Sequence, residues 1–306
     1  MNTGCAVLAC SAAHRPQNGS VRNRAGYKLV KLANGVHSVH SLAHRETFHP
    51  VIGPVAEAEA LYVRQLRLVD RLQRQMGKCV IWDVGLGAAA NALTVLRATR
   101  DVPCSIHLVS FDSTLEPLEF ALQHGEKLGY LAGYERRLED LMRQGSVSFV
   151  DGQQQAQWDL HVGDSPTLLK QPAAQKIPRP AAIMFDPFSP ATNPAMWTQP
   201  LFGSLFRLLD PTRPCALPTY SRSTMLRVTL LLAGFFVGIG HATGEKEETT
   251  IAANTLELIA EPLNRRWLQR ARRSNSAEPL WEPVYRQARL SPETLERLQQ
   301  HAQFVL

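Results

Sequence analysis

The sequence has no apolar run long enough to cross a bilayer. The longest, Val228 to Ile239, is twelve residues and is interrupted by Thr229 and two glycines, whereas a spanning helix needs about 20. No Lys or Arg precedes the short apolar stretch in MNTGCAVLAC, so neither a secretory signal nor a lipoprotein-type Cys10 is expected. The five cysteines lie far apart, with no C-x-x-C pair and no zinc spacing. Reduced thiols, no metal centre and a cytoplasmic location are the simplest expectation. The glycine-rich stretch at 83–91 lacks the Lys-Ser/Thr of a P-loop, which argues against a triphosphate cradle. No internal repeat or low-complexity tract occurs.

What is present is ordinary for a globular enzyme: 306 residues, 44% hydrophobic and 20% charged, enough for one or two domains. The charge is uneven. Residues 1–45 carry six basic side chains and no acidic one, and residues 261–290 carry seven arginines against three glutamates. The formal total is +6, so the remainder sums to −4. A basic surface that meets phosphate is one reading; a basic tail and a solvated helix face are the other.

Residues 1–25 show no apolar period and are expected to be disordered. Residues 26–77 read as an N-terminal extension. Two alternating runs flank Asn34-Gly35, a signal for a tight hairpin, and Glu57 to Met76 has helical spacing. From residue 78 to 260 short apolar strands alternate with helices: strands at 79–82, 106–111, 158–162, 181–185 and 215–220, and helices at 116–125, 134–144, 201–209 and 223–234. The pair 235–239 and 249–259 reads as a closing antiparallel hairpin. Residues 261–306 read as a basic helical extension, with Ser291 as N-cap and Pro292 at the first position of a last helix. This alternation predicts an α/β fold, a doubly wound Rossmann-like sheet with helices on both faces. In such sheets the ligand lies at the carboxyl ends of the strands. Asp112, Asp164 and Asp186 each follow a strand, which places them on one rim with the glycine turn after Asp83.

Gly85 and Gly87 sit at a strand–turn–helix junction where a backbone can approach a ligand closely. Alone they are equally an ordinary tight turn, and with Asp112 as a ribose acceptor they would also suit a dinucleotide. The segment FDPFSPATNPAMW is more telling, because a proline-stiffened polar loop at a strand end positions reacting groups well. Asp186 is placed to orient a nucleophile or take its proton. Phe188 and Trp197 are candidates for stacking on a planar base, although for Trp197 packing within the loop is the plainer account.

These segments resemble the methyltransferase module of the bacterial bifunctional tRNA 5-methylaminomethyl-2-thiouridine biosynthesis proteins and their stand-alone relatives. The matching text is Thr47-Phe-His49 with Gly53 and Glu57, DVGLGAAANAL, SFD ending at Asp112, HVGDSPTLL, FDPFSPATNPAMWT, TYSRSTMLRVTLLLAGF and GEKEETTIA, over roughly residues 27–260. The resemblance implies a class I methyltransferase fold that uses S-adenosyl-L-methionine. By it, Gly85, Gly87 and Asn91 hold the methionine end of the cofactor, Asp112 its ribose, and Asp164 with Ser165 its adenine. His49 and Glu57 close over it, and Asp186 faces the reacting amine. Tyr220, Arg227, Lys246 and Glu248 match without an assigned role; for Arg227 a salt bridge is the plain account. Ala89 stands where the family often has a third glycine.

The family's oxidase half has no counterpart before Leu306. The implied reaction is therefore N-methylation of a free aminomethyl group on a tRNA wobble uridine, with a separate oxidase or aminomethyl-forming enzyme upstream. The partner is tRNA, held in part by Arg265, Arg266 and Arg270, and no membrane is involved. Two alternatives stay open: a methyltransferase for a small-molecule or protein acceptor, and a non-catalytic RNA- or partner-binding module.

Overall fold

The computed structural model describes residues 26–74, 77–244 and 247–305. The expected disorder of residues 1–25, and Lys246, lie outside the described residues. An eight-stranded sheet dominates. Its strands are β4 (Lys78–Val84), β5 (Ser105–Asp112), β6 (Ser146–Asp151), β7 (Gln154–Val162), β8 (Ala182–Phe185), β9 (Ala216–Thr219), β10 (Phe236–Gly240) and β11 (Thr249–Ala253), in the order β10-β11-β9-β8-β4-β5-β7-β6. A smaller sheet precedes it in the chain, formed by β1 (Tyr27–Lys31), β2 (His37–Ser41) and β3 (Glu46–Thr47).

Strands β9, β8, β4, β5 and β7 are parallel to one another, while β6 and β11 pair antiparallel to their neighbours. Both faces of the sheet are covered, which is why the central strands read as continuous apolar runs. Along β4, Val80, Trp82 and Val84 enter the core on one face and Ile81 the core on the other, following the period of two. Helix Ala90–Ala98 packs on the Ile81 side, and helices Gln199–Leu208 and Thr224–Ala233 pack on the Trp82 side. Trp267, Leu268, Leu298 and Phe304 of the C-terminal extension join the second of these cores. The edge strand β10 is covered by the same extension. Leu263 N–H donates to Val237 O at 3.0 Å, and the Gln303 side chain bonds both the N–H and the C=O of Val237. An edge covered in this way offers no template for pairing with another chain.

Three local expectations are corrected. The hairpin between β1 and β2 does not turn on a two-residue Asn-Gly loop. Gly35 N–H donates to Leu32 O, Leu32 N–H donates to Val36 O, and only Gly35 of the pair has positive φ, +86°; this is a three-residue loop with a glycine bulge. The expected helix over 57–76 is not continuous. It runs as helix Pro54–Ala58, a π-helical stretch Glu59–Arg64 and helix Leu68–Arg74, separated by Arg67 at φ +48°. The second arm of the closing hairpin ends at Ala253 rather than 259. Strand β6, at the far edge of the sheet, has no counterpart in the sequence reading.

Candidate active site

Order in the sheet reverses between β4 and β8: the chain leaves β4 towards β5 and later returns on the other side as β8. Ligands of doubly wound sheets bind at such a crevice. The turn after β4 is tight. Gly85 has φ +96°, and a Cβ placed there would meet the Asp186 carbonyl at 3.0 Å and Pro187 N at 3.1 Å. Gly87 N–H donates to Asp112 Oδ2 at 2.8 Å, and Thr114 N–H donates to Oδ1 at 3.3 Å. Burial raises the Asp112 pKa, opposed by hydrogen bonds from Gly87, Thr114 and Ser113. Asn91, in the first turn of the following helix, donates Nδ2–H to Asp186 Oδ2 at 2.7 Å. His49 Nε2 lies 3.6 Å from the same oxygen, with its backbone at φ +48°.

These groups open onto one cleft of about 490 Å³, within the usual size of a cofactor pocket. The loop 44–50 forms its outer wall. Glu46 locks that loop to the strand-end loop after β8, accepting from Ser189 N–H at 3.1 Å and from the hydroxyls of Ser189 and Thr192. The His44 ring stacks on Phe188 at 4.1 Å, and Phe48 meets Phe188 edge-on at 5.4 Å. Tyr220 donates to Pro187 O at 3.0 Å. Burial first, then the Asp186 charge, push the Tyr220 and Tyr62 phenols well above their ordinary pKa. Behind the glycine turn Asp83 is fully buried and accepts from Ser110 Oγ at 2.9 Å. Burial raises its pKa to about 7.

Residues 136–255 match the sequence model of a family described as S-adenosyl-L-methionine-dependent methyltransferase. Over 209 residues the chain is 30% identical to the tRNA 5-methylaminomethyl-2-thiouridine biosynthesis bifunctional protein MnmC of Aeromonas hydrophila, covering 63% of this chain and 30% of that protein. It is 27% identical over 252 residues to the MnmC of Ralstonia nicotianae, covering 79% and 35%. The chain thus spans about a third of the length of these curated relatives. Its fold matches the crystal structure of MnmC2 from Aquifex aeolicus with a TM-score of 0.65 at 21% identity, over 92% of this chain and 84% of that one. The chain is thus similar to S-adenosyl-L-methionine-dependent methyltransferases in this segment and shares their fold.

The cleft suits the cofactor of that family. Both the sulfonium and the ammonium of S-adenosyl-L-methionine are cationic, and Glu57, Asp112, Asp164 and Asp186 all line the cleft. Glu57 is 4% exposed. Its carboxylate has no hydrogen-bond or ion-pair partner among the described residues, so it is an acceptor in need of a donor. At Gly85 the turn packs so closely on the Asp186 and Pro187 backbone that a side chain has no room, and it is backbone that lines the cleft there.

Of the residues singled out from the sequence, Gly85, Gly87, Asn91, Asp112, Asp164 and Ser165 line the cleft, as do His49, Glu57, Asp186 and Phe188. Asp164 also caps the short helix Ser165–Leu168 by accepting from Thr167 N–H at 3.0 Å. Trp197 is the correction. It is fully buried, its indole N–H donates to Phe188 O at 2.7 Å, and its ring packs edge-on against Phe185. It braces the loop from inside and has no face free to stack on a base. Arg265, Arg266 and Arg270 are exposed on helix Arg265–Arg273, and none of them lines the cleft. Arg227 is buried, paired with Glu248 at 3.1 Å and donating to Thr249 O and Thr250 Oγ1. Sequence reasoning missed the wall formed by Glu46, His44 and Phe48, although Thr47, Phe48 and His49 were within its matching text. It also missed Asp83, whose position before the glycine turn was legible. Among the described residues no cluster of His, Cys, Asp or Glu is placed to hold a metal ion, and no helix is long and apolar enough to cross a membrane.

Proposed function

We propose that the chain methylates the nitrogen of an aminomethyl group on a wobble uridine of tRNA. The observation that carries this reading is the placement of Asp186. It ends β8 on the rim beside the glycine turn, is fixed by Asn91 at 2.7 Å, and faces the cleft together with His49 and Phe188. The choice of acceptor rests on the relatives, which are named for tRNA 5-methylaminomethyl-2-thiouridine biosynthesis.

S-adenosyl-L-methionine, when bound, supplies an electrophilic methyl group on a sulfonium. The chain's own residues do the rest. Gly85 and Gly87 leave room for the methionine end, Asn91 bonds it, and Glu57 accepts from its ammonium. Asp112 accepts from the ribose hydroxyls, and Asp164 and Ser165 flank the base. The acceptor amine must be neutral with its lone pair aligned, and such alignment contributes up to about 7–11 kcal/mol in the best intramolecular cases. Asp186 orients the amine and receives its proton, a role worth about 10²–10⁴ in rate. Asn91 and His49 hold the carboxylate in place while it does so. The wall formed by residues 44–50 limits water at the reacting atoms. Arg265, Arg266 and Arg270 contact phosphate, which makes tRNA affinity fall with salt. Because the acceptor already carries a free aminomethyl group, an aminomethyl-forming enzyme precedes this step, and the reaction belongs in the cytoplasm with the tRNA pool.

The direct test mixes the protein with methyl-labelled S-adenosyl-L-methionine and tRNA from cells lacking the wobble-uridine methylation step. Label on the aminomethyl nitrogen is the expected result. Cofactor binding with no label on any tRNA would overturn the acceptor assignment. For the site, Asp186→Ala should lower turnover at least about 100-fold with cofactor affinity retained, and wild-type turnover would remove Asp186 from the mechanism.

A further inference from the structure

Four of the five tryptophans are buried: Trp82, Trp158 and Trp197 fully, and Trp267 to 5% exposure. Trp281 is the exception, 40% exposed, and Val284 and Tyr285, three and four residues further along the same loop, are 50% and 40% exposed. An apolar cluster of this kind on a surface otherwise rich in charge marks a contact site. It lies in the C-terminal extension, outside the segments that resemble the family.

The loop carrying these rings is irregular, yet its base is held firmly. Ala277 N–H and Glu278 N–H both donate to Ala288 O, closing the loop at its neck. The Glu278 carboxylate accepts from Ser291 N–H at 2.8 Å, from Thr294 Oγ1 at 2.8 Å and from the Trp281 indole N–H at 3.2 Å. Trp281 is therefore oriented before any partner arrives, which lowers the cost of binding. Charge surrounds it. The Arg297 guanidinium lies 5.5 Å from the Trp281 ring centre, Arg286 and Arg289 follow Tyr285 in the chain, Arg286 in an exposed pair with Glu282 at 3.0 Å, and the extension holds eight arginines against five glutamates over residues 261–306.

The loop also adjoins the active site. Leu280 bridges to Thr198, and Gln199 N–H donates to Leu280 O at 2.8 Å. Thr198 directly follows the turn Pro194–Trp197, whose Met196 lines the cleft. Exposed aromatic rings among arginines bind single-stranded nucleic acid, the rings by stacking on bases and the cations by following the backbone.

We infer that the 281–289 loop is an RNA-stacking platform: Trp281 and Tyr285 stack on unpaired bases of the tRNA whose wobble uridine enters the cleft, and Arg286 and Arg297 meet its phosphates. This rests on the tRNA reading above. The test measures binding of tRNA lacking the wobble methylation to wild type, Trp281→Ala and Tyr285→Ala at several salt concentrations. Each variant should bind about tenfold more weakly or worse. The salt dependence should be unchanged, because stacking releases no counterions, whereas Arg270→Ala should lower the slope by about one. In wild type, tRNA should also shield the exposed tryptophan from acrylamide quenching, a readout independent of any variant's folding. Wild-type affinity in both aromatic variants together with unshielded quenching would overturn the platform alone. A change of oligomeric state in Trp281→Ala with tRNA binding intact would overturn it too, in favour of a protein contact. Failure of the wild-type protein itself to bind tRNA would overturn the substrate reading and the platform with it.

Discussion

Replacing Gly85 with alanine should damage both the stability of the protein and its hold on the cofactor. Two costs add. A side chain at φ +96° costs about 1–2 kcal/mol. The new Cβ would lie 3.0 Å from the carbonyl carbon and oxygen of Asp186 and 3.1 Å from Pro187 N. These are backbone atoms that cannot rotate aside, so the ends of β4 and β8 must part by a few tenths of an ångström, an overpacking cost of about 1–3 kcal/mol. The stiffer unfolded chain returns about 0.4–1 kcal/mol. The net loss is therefore about 1–4.5 kcal/mol, a fall in melting temperature of roughly 2–7 °C for a chain of this size. Gly145→Ala is the control: Gly145 has φ +75°, and nothing lies within 4 Å of its added Cβ, so it carries only the backbone cost. Thermal melts compare the two variants, and calorimetric titration with S-adenosyl-L-methionine follows the site. Gly85→Ala should melt a few degrees below Gly145→Ala and bind cofactor at least about tenfold more weakly, because the glycine turn that lines the cleft is itself pushed away from the strand end. Equal melting temperatures with unchanged cofactor affinity would refute the close approach as the reason for glycine here.

The other expectations are quickly stated. Ala89 sits in the left-handed region at φ +62° with its methyl fully buried. Ala89→Gly relieves about 1–2 kcal/mol of strain but forfeits about 0.8 kcal/mol of methyl burial and gains about 0.4–1 kcal/mol of unfolded-state freedom. It should melt within about 3 °C of wild type, and a large shift either way would contradict that balance. Asp83 has a pKa near 7 in the folded protein against an ordinary 3.8. Between these values the native state binds more protons than the unfolded chain, so this group's contribution is full below about pH 4 and is lost as pH rises to about 7. Denaturant titrations of wild type and Asp83→Asn should therefore show wild type losing ground to the variant across that window, whereas parallel curves would exclude the raised pKa.

Much of the large sheet was legible because its strands are buried on both faces. Runs such as Val80-Ile-Trp82 and Ile183-Met-Phe185 declare themselves by composition alone, and aspartates at 112 and 186 mark where they meet the cleft. Ser291 could be read as an N-cap from its place before Pro292, and it does accept from Thr294 N–H. What could not be read depends on partners distant in sequence. Residues 44–50 have no period because their conformation, with Arg45 and His49 both at positive φ, is imposed by contacts to Ser189, Thr192 and Phe188. The helix over 57–76 breaks at Arg67 without a glycine or proline to signal it. Trp197 could be read two ways from the sequence, as a stacking candidate or as packing within the loop, and its full burial with the indole N–H on Phe188 O fits the plainer, packing account. Strand β6 carries only a weak signal, the alternation in Ser146-Val-Ser-Phe149, because it is short and half exposed at the sheet edge.

The small sheet of β1 to β3 has strands of five, five and two residues, and its buried Val39, with Tyr27, Leu29 and Phe48 partly buried around it, packs into the core of the large domain. A sheet this small is marginal by itself, so it borrows its stability through the contacts that also wall the cleft. Segments with few contacts of their own open locally at a free energy below that of the whole fold. Because residues 44–50 both belong to this small unit and wall the cleft, any local opening of the small sheet would open the cleft with it.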